Sequence, residues 1–193
     1  MEPQMTPAQG LAPIQAMINE AKQSVMKMGF YFILWGAILE ACGLGEFFLD
    51  RAGYNKPWLV WPVLCTLGGI IAGIHGAREG ARSGAATYSD RLMMWLWTAF
   101  TITLVLIIIG SVSTGINPGH HIMLMTGLPT FVTGAMLRFK PLIVGGILFW
   151  VIGLLSFWFL TEYSSLVFVF AIIVGYVIPG ILLKIQEDGL HPA

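Results

Sequence analysis

The sequence predicts an all-α membrane protein: six transmembrane helices arranged as three pseudo-repeated hairpins, preceded by an amphipathic helix. Three observations carry this. Only 10% of the 193 residues are charged and 56% are apolar, whereas a soluble domain carries about 25% charged residues. The mean hydropathy is +0.79, so hydrocarbon rather than water is the natural solvent for most of the chain. The apolar residues fall in continuous runs of roughly 20, the length that crosses about 30 Å of hydrocarbon. They do not alternate as the short strands of a membrane barrel do. Ten Lys+Arg balance ten Asp+Glu, so there is no basic excess for nucleic acid. An ordinary soluble enzyme and a disordered regulator are excluded on the same grounds.

Residues 1–28 form an arm. Pro3, Pro7 and Gly10 make its first part irregular. From Pro13, the residues Ile14, Met17, Ile18, Ala21 and Val25 recur at helical spacing opposite Gln15, Glu20, Lys22 and Gln23. That pattern suits a helix lying on the inner leaflet or capping the bundle. Six spans follow within residues 29–184: Gly29 to Leu49, Trp58 to Gly76, Leu92 to Val112, Ile122 to Leu137, Pro141 to Leu160 and Leu166 to Leu183. Residues 185–193 are a polar tail. The first run is too long for a signal-peptide core, which argues against a cleavable leader.

Lys and Arg in short loops set orientation. With both termini cytoplasmic, eight basic residues lie inside and two, Arg51 and Lys56, lie outside. The expected location is a bacterial inner membrane. Trp58, Trp61 and Tyr163 then anchor the outer interface, and Tyr31, Trp95 and Trp97 the inner one.

The even-numbered spans share a pattern. Each has a small or helix-bending residue (Gly68, Pro129, Gly175), a glycine five positions on (Gly73, Gly134, Gly180), then a basic residue (Arg78, Arg138, Lys184). Each odd-numbered span carries a tryptophan in an apolar frame: Trp35, Trp97 and Trp150. This reads as three in-out-in hairpins around an axis along the membrane normal. Lipid tails are as apolar as Leu, so membrane helices associate through close packing, which glycine permits. Gly36 and Gly43 share a face of the first span, and Gly69 and Gly73 form G-x-x-x-G in the second. Gly134 and Gly180 are packing candidates in the fourth and sixth. Pro129 and Pro179 interrupt helical hydrogen bonding and are kink candidates.

Tyr31 to Gly36, Phe131 to Ile147 and Gly175 to Lys184 resemble segments of a group of small bacterial six-helix integral membrane proteins of unassigned activity. The resemblance covers Tyr31 to Lys184 and implies the span count and the inner membrane. It carries no catalytic motif and implies no site.

Charge at the bilayer centre costs about 2.5–3.5 kcal/mol on insertion scales, so each intramembrane ionisable residue is a site candidate. Glu40 lies eleven residues into the first span, about 16 Å along at 1.5 Å per residue. Thr66, Thr101, Thr103 and Tyr176 lie at similar depth on other spans. The group reads either as a ligand or proton site or as a neutral carboxyl hydrogen-bonded to those hydroxyls. Glu46 is expected to snorkel or pair with Arg51. Glu46, His120 and His121, with Glu162, make only a weak metal candidate, because adjacent histidines do not share a helix face. His75 reads as an inner-end cap. Cys42 and Cys65 each lie seven residues from the outer end of their span. They share a depth and read first as small packing residues; no C-x-x-C supports redox or zinc chemistry. Arg78, Arg82, Arg138 and Lys140 form a basic inner face, a candidate for anionic lipid.

G-x-S-x-G, P-loop and dinucleotide motifs are absent from the sequence, so the expectation is a non-enzyme with no cofactor. The leading reading is a polytopic protein that binds a lipid, an apolar small molecule or partner helices, as sensor or accessory subunit. Its expected partners are membrane lipid and a protein partner or second copy, with no nucleic acid. The alternative is a small-solute or proton-coupled permease with a midplane site around Glu40.

Overall fold

The computed structural model describes residues 28–82, 88–159 and 164–189. Of these, 92% are helical and none lies in a strand. The expected amphipathic helix falls outside the described residues. Helix α1 is Met28–Arg51. A short 3-10 turn, Pro57–Leu59, leads into α2, Val60–Arg82. Then come α3, Tyr88–Thr114, α4, Gly119–Met136, and α5, Lys140–Phe159. The last helical stretch has three parts: α6, Ser164–Ile172, a π turn at Ile173–Val177, and α7, Ile178–Gly189.

Five stretches are long and apolar enough to cross a membrane: Met28–Arg51, Pro57–Ala81, Tyr88–Thr114, Lys140–Trp158 and Ser165–Gln186. Helix α4, the remaining expected span, is 18 residues long. Its His120, His121, Pro129 and three threonines dilute its apolarity. It is nonetheless deeply buried by protein, at Met123, Thr126, Gly127, Pro129, Thr130, Thr133 and Gly134. A helix surrounded by other helices needs less apolar surface than one facing lipid, because its polar atoms find partners in the bundle. Thr126 and Thr130 each donate to the carbonyl four residues back, at 2.7 and 2.8 Å.

Helix ends are closed by left-handed caps. After α1, Gly53 has φ 75° and Tyr54 N–H reaches Leu49 O at 3.0 Å. After α3, Gly115 has φ 72° and Ile116 N–H reaches Ser111 O at 3.2 Å. After α4 the left-handed residue is Arg138, with φ 52°, and Phe139 N–H reaches Gly134 O at 2.8 Å. This hydrogen-bond pattern returns a capping N–H to a carbonyl the helix leaves orphaned. A side chain in that conformation costs roughly 1–2 kcal/mol that glycine avoids.

The core runs through Phe32 of α1, Met123 of α4, Leu142 and Phe149 of α5, Phe168, Ala171 and Ile172 of α6, Tyr176 of the π turn and Leu183 of α7. Tyr176 is the aromatic hub, with ring centroids 5.1 Å from Phe32 and 5.5 Å from Phe149. Helix α2 packs closely on α1, and α3 on α4. In the most apolar window of each, only 6% of residues are buried, against 50% in Ser165–Gln186.

Candidate functional site

Glycine determines where the first and last helices meet. On α1, Gly36, Glu40 and Gly43 share one face, by their spacing of four and three. A Cβ on Gly36 would lie 2.7 Å from the Val177 side chain, and one on Gly43 would lie 2.7 Å from that of Val169. These two contacts fix an antiparallel register, completed where Gly180 meets Phe32 and Ile33. Glu40 lies between them, level with the start of the π turn at Ile173.

The π turn has a local cause. Pro179 has no N–H to donate and its ring crowds the preceding turn. The chain responds by widening just before it, and Ile178 N–H reaches five residues back to Ile173 O. Such single wide turns in α-helices occur often at functional sites. Here the wide turn presses its backbone against α5, where a Cβ on Gly145 would lie 2.7 Å from Gly175 O. Pro179 is thus accommodated by an extra residue in one turn. Pro129 is buried inside a continuous α4.

Glu40 itself is half-buried. Its Oε1 is buried and has no hydrogen-bond partner, alone in this among the described residues. An acceptor left unpaired away from water costs about 1–3 kcal/mol. The hydroxyls expected around it are elsewhere. Thr66 donates to Pro62 O at 2.6 Å, Thr101 to Trp97 O at 2.8 Å and Thr103 to Ala99 O at 2.9 Å, each within its own helix. All three are exposed. Tyr176 is in the core, where its hydroxyl is paired with Thr130. The expected cluster shares a depth but not a helix face. Beside Glu40, the residues Ala37, Ala41, Leu44 and Phe48 form an exposed stripe along α1.

Glu46 and His75 also depart from expectation. Glu46 does not pair with Arg51: its Oε2 accepts the Trp61 indole N–H at 2.8 Å. Arg51 instead lies 4.8 Å over the Phe47 ring. His75 is more than a helix cap. Its Nε2 is 3.1 Å from Glu79 Oε2, and its ring stacks on Phe30 at 3.9 Å between centroids. Tyr31 meets the same imidazole edge-on at 5.8 Å.

His120 Nδ1 lies 2.6 Å from Ser156 Oγ, and Ser156 Oγ lies 2.7 Å from Gly153 O. A carbonyl can only accept, so Ser156 donates to Gly153 and Nδ1–H donates to Ser156. That assignment satisfies both bonds and leaves Nε2 with the free lone pair. His121 is exposed and packs against Phe157. Among the described residues, no three His, Cys, Asp or Glu side chains converge on a metal-sized site. Glu162 lies outside those residues.

Glycine packing is only partly where the pattern placed it. Gly36, Gly43, Gly134 and Gly180 are close contacts, but Gly69 and Gly73 meet nothing within 4 Å. The α1–α2 seam runs instead through Gly68, against Ile38. The three glycines aligned by the repeat thus differ: Gly134 and Gly180 face neighbours, and Gly73 faces outward. Gly127, Gly145, Gly146 and Gly153, which the pattern did not single out, also make close seams, as does Gly175 of the repeat. The Gly-Gly pair in Val144–Ile147 was their one visible signal.

Arg78, Arg138 and Lys140 are exposed. Arg82 ends α2, and its side chain lies outside the described residues. Between α5 and α6 an apolar groove of about 300 Å³ is lined by Ile152, Leu155, Leu166, Val167 and Phe170. Comparison with family models, with curated proteins and with solved structures gives no match.

Proposed function

We propose that this chain is a non-enzymatic polytopic protein of a bacterial inner membrane, of the small six-helix group it resembles, and that it holds a partner transmembrane helix at Glu40. In this reading α4 is the sixth crossing, shielded by its neighbours, and the three hairpins α1–α2, α3–α4 and α5–α7 run in, out and in. Both termini lie in the cytoplasm, as the distribution of Lys and Arg supports. Arg78, Arg82, Arg138 and Lys140 meet anionic headgroups there.

The observation that carries the partner reading is the unpaired Oε1 of Glu40 beside an exposed apolar stripe whose residues nearest Glu40 are the small Ala37 and Ala41. Ala37 and Ala41 are four apart, the spacing at which small residues let a second helix approach. A donor on that helix, met when the half-buried Glu40 side chain turns its buried Oε1 toward the stripe, satisfies the carboxyl, which no described side chain does. Other polar side chains serve the fold: Ser156 holds His120, Trp61 holds Glu46, and the threonines bond within their helices.

The test is photo-crosslinking in bacterial membranes with a photoreactive amino acid at position 37 or 41. A discrete adduct is expected from the parental chain and from Glu40→Gln, which keeps an acceptor carbonyl. Glu40→Leu is expected to lose it. An adduct indifferent to residue 40, or no adduct, overturns the reading.

A second reading, a small-solute permease, is favoured by the π turn, whose start at Ile173 is level with Glu40 in the α1 register. Discontinuous helices of that kind build midplane sites in transporters. It requires water at Glu40, so a water-soluble carbodiimide would label that carboxyl.

A further inference from the structure

The α1–α2 seam contains a feature independent of Glu40. Ile38 meets Gly68 on one side, and Gly45 meets Val60 and Glu46 holds Trp61 on the other. The antiparallel register between these contacts sets Cys42 opposite Cys65. Cys42 Sγ lies 3.9 Å from Val60 O, so its thiol faces α2, and both cysteines are unoxidised. About one turn away, a Cβ on Gly45 would lie 3.1 Å from the Val60 side chain. Close approach of this kind is what a disulfide between neighbouring helices demands. Cys42 is fully buried, whereas Cys65 is half-buried beside the exposed Pro62 and Thr66.

We propose that Cys42 and Cys65 form an oxidisable dithiol that a hydrocarbon-soluble quinone converts to an intramolecular disulfide. The surroundings select this chemistry. Thiolates and thiolate–metal complexes place charge in an apolar seam, which is costly. A disulfide formed from two neutral thiols carries none. Water-soluble disulfides react through a thiolate at an accessible sulfur, so the fitting oxidant is apolar and reaches Cys65 from the bilayer side. Both S–H bonds break and one S–S bond forms. The two electrons and two protons reduce the quinone to its hydroquinone. The consequence is mechanical: α2 packs closely on α1 and is otherwise mostly exposed, so this bond fastens α2 at its principal contact.

The test uses the full chain in phospholipid vesicles, treated with a short-chain alkyl benzoquinone. Parental protein is expected to lose both alkylatable thiols and two hydrogens of mass, and to release one hydroquinone per chain. Proteolysis then yields a peptide pair joined through positions 42 and 65, which dithiothreitol separates. Cys42→Ser and Cys65→Ser are each expected to keep their remaining thiol alkylatable and to produce no hydroquinone; Cys42→Ala and Cys65→Ala replace either serine variant that fails to fold. Two thiols that stay alkylatable in the parental chain, a quinone adduct on one sulfur, or disulfides between chains each overturn the proposal.

Discussion

The seam between α5 and the π turn and the outward face of α2 are both rich in glycine, yet they behave in opposite ways. At the first, Gly145 and Gly175 bring two backbones together, with Phe149 packed on Gly175. At the second, Gly69 and Gly73 stand in open space although they form the familiar G-x-x-x-G. The difference lies in the direction each helix face points. A missing Cβ stabilises membrane helix packing only where another backbone or side chain takes the space. On an exposed face it only leaves the helix with a weaker former than alanine.

Matched substitutions sharpen this contrast. Gly145→Val is expected to destabilise the fold by about 3 kcal/mol, because its side chain overlaps the π-turn backbone. Gly73→Val is expected to change stability by about 0.5 kcal/mol or less, as outward-facing substitutions do. Thermal unfolding in detergent or bilayer discs, read by circular dichroism, compares the pair. Equal losses at both sites would mean that α2 has a second close neighbour.

A smaller effect of opposite sign is expected at the cap of α4. Arg138 holds a left-handed conformation that Gly53 and Gly115, at the ends of other helices, hold without strain. Arg138→Gly is expected to stabilise by about 1 kcal/mol. The same variant is expected to retain less anionic lipid on gentle extraction, read by native mass spectrometry, since an exposed cation is lost. A loss of stability would show that the Arg138 side chain makes a contact worth more than the strain.

The apolar runs made the helices legible, because length and composition alone decide whether a segment is at home in hydrocarbon. Their ends moved outward by a few residues, as at Met28–Arg51 and Tyr88–Thr114, because helices continue beyond the apolar core. Depth along each helix was also legible: the register of α1 on α2 sets Cys42 and Cys65 at one level. Direction around the helix was not. Glu40 and Thr101 share a depth, yet Thr101 is exposed on α3 and bonds within its own helix. Similarly, Gly68 rather than Gly69 faces α1, since the indole of Trp61 on Glu46 and the facing thiols set the rotation of α2. The π turn had one visible sign, Pro179, which announces a lost hydrogen bond but not how the chain accommodates it. The cap at Arg138 had none, as no glycine marks it.

The central claim is that a partner in the bilayer, not water, meets the free acceptor of Glu40. Carbodiimides test it directly, because they label protonated carboxyls and come in hydrocarbon-soluble and water-soluble forms. In purified protein, the account predicts labelling of Glu40 by dicyclohexylcarbodiimide and none by a water-soluble analogue. In native membranes it predicts much weaker labelling by the first reagent, because the partner covers the site, and Glu40→Gln gives the background in both cases. Labelling by the water-soluble reagent, or equal labelling before and after extraction, would contradict it.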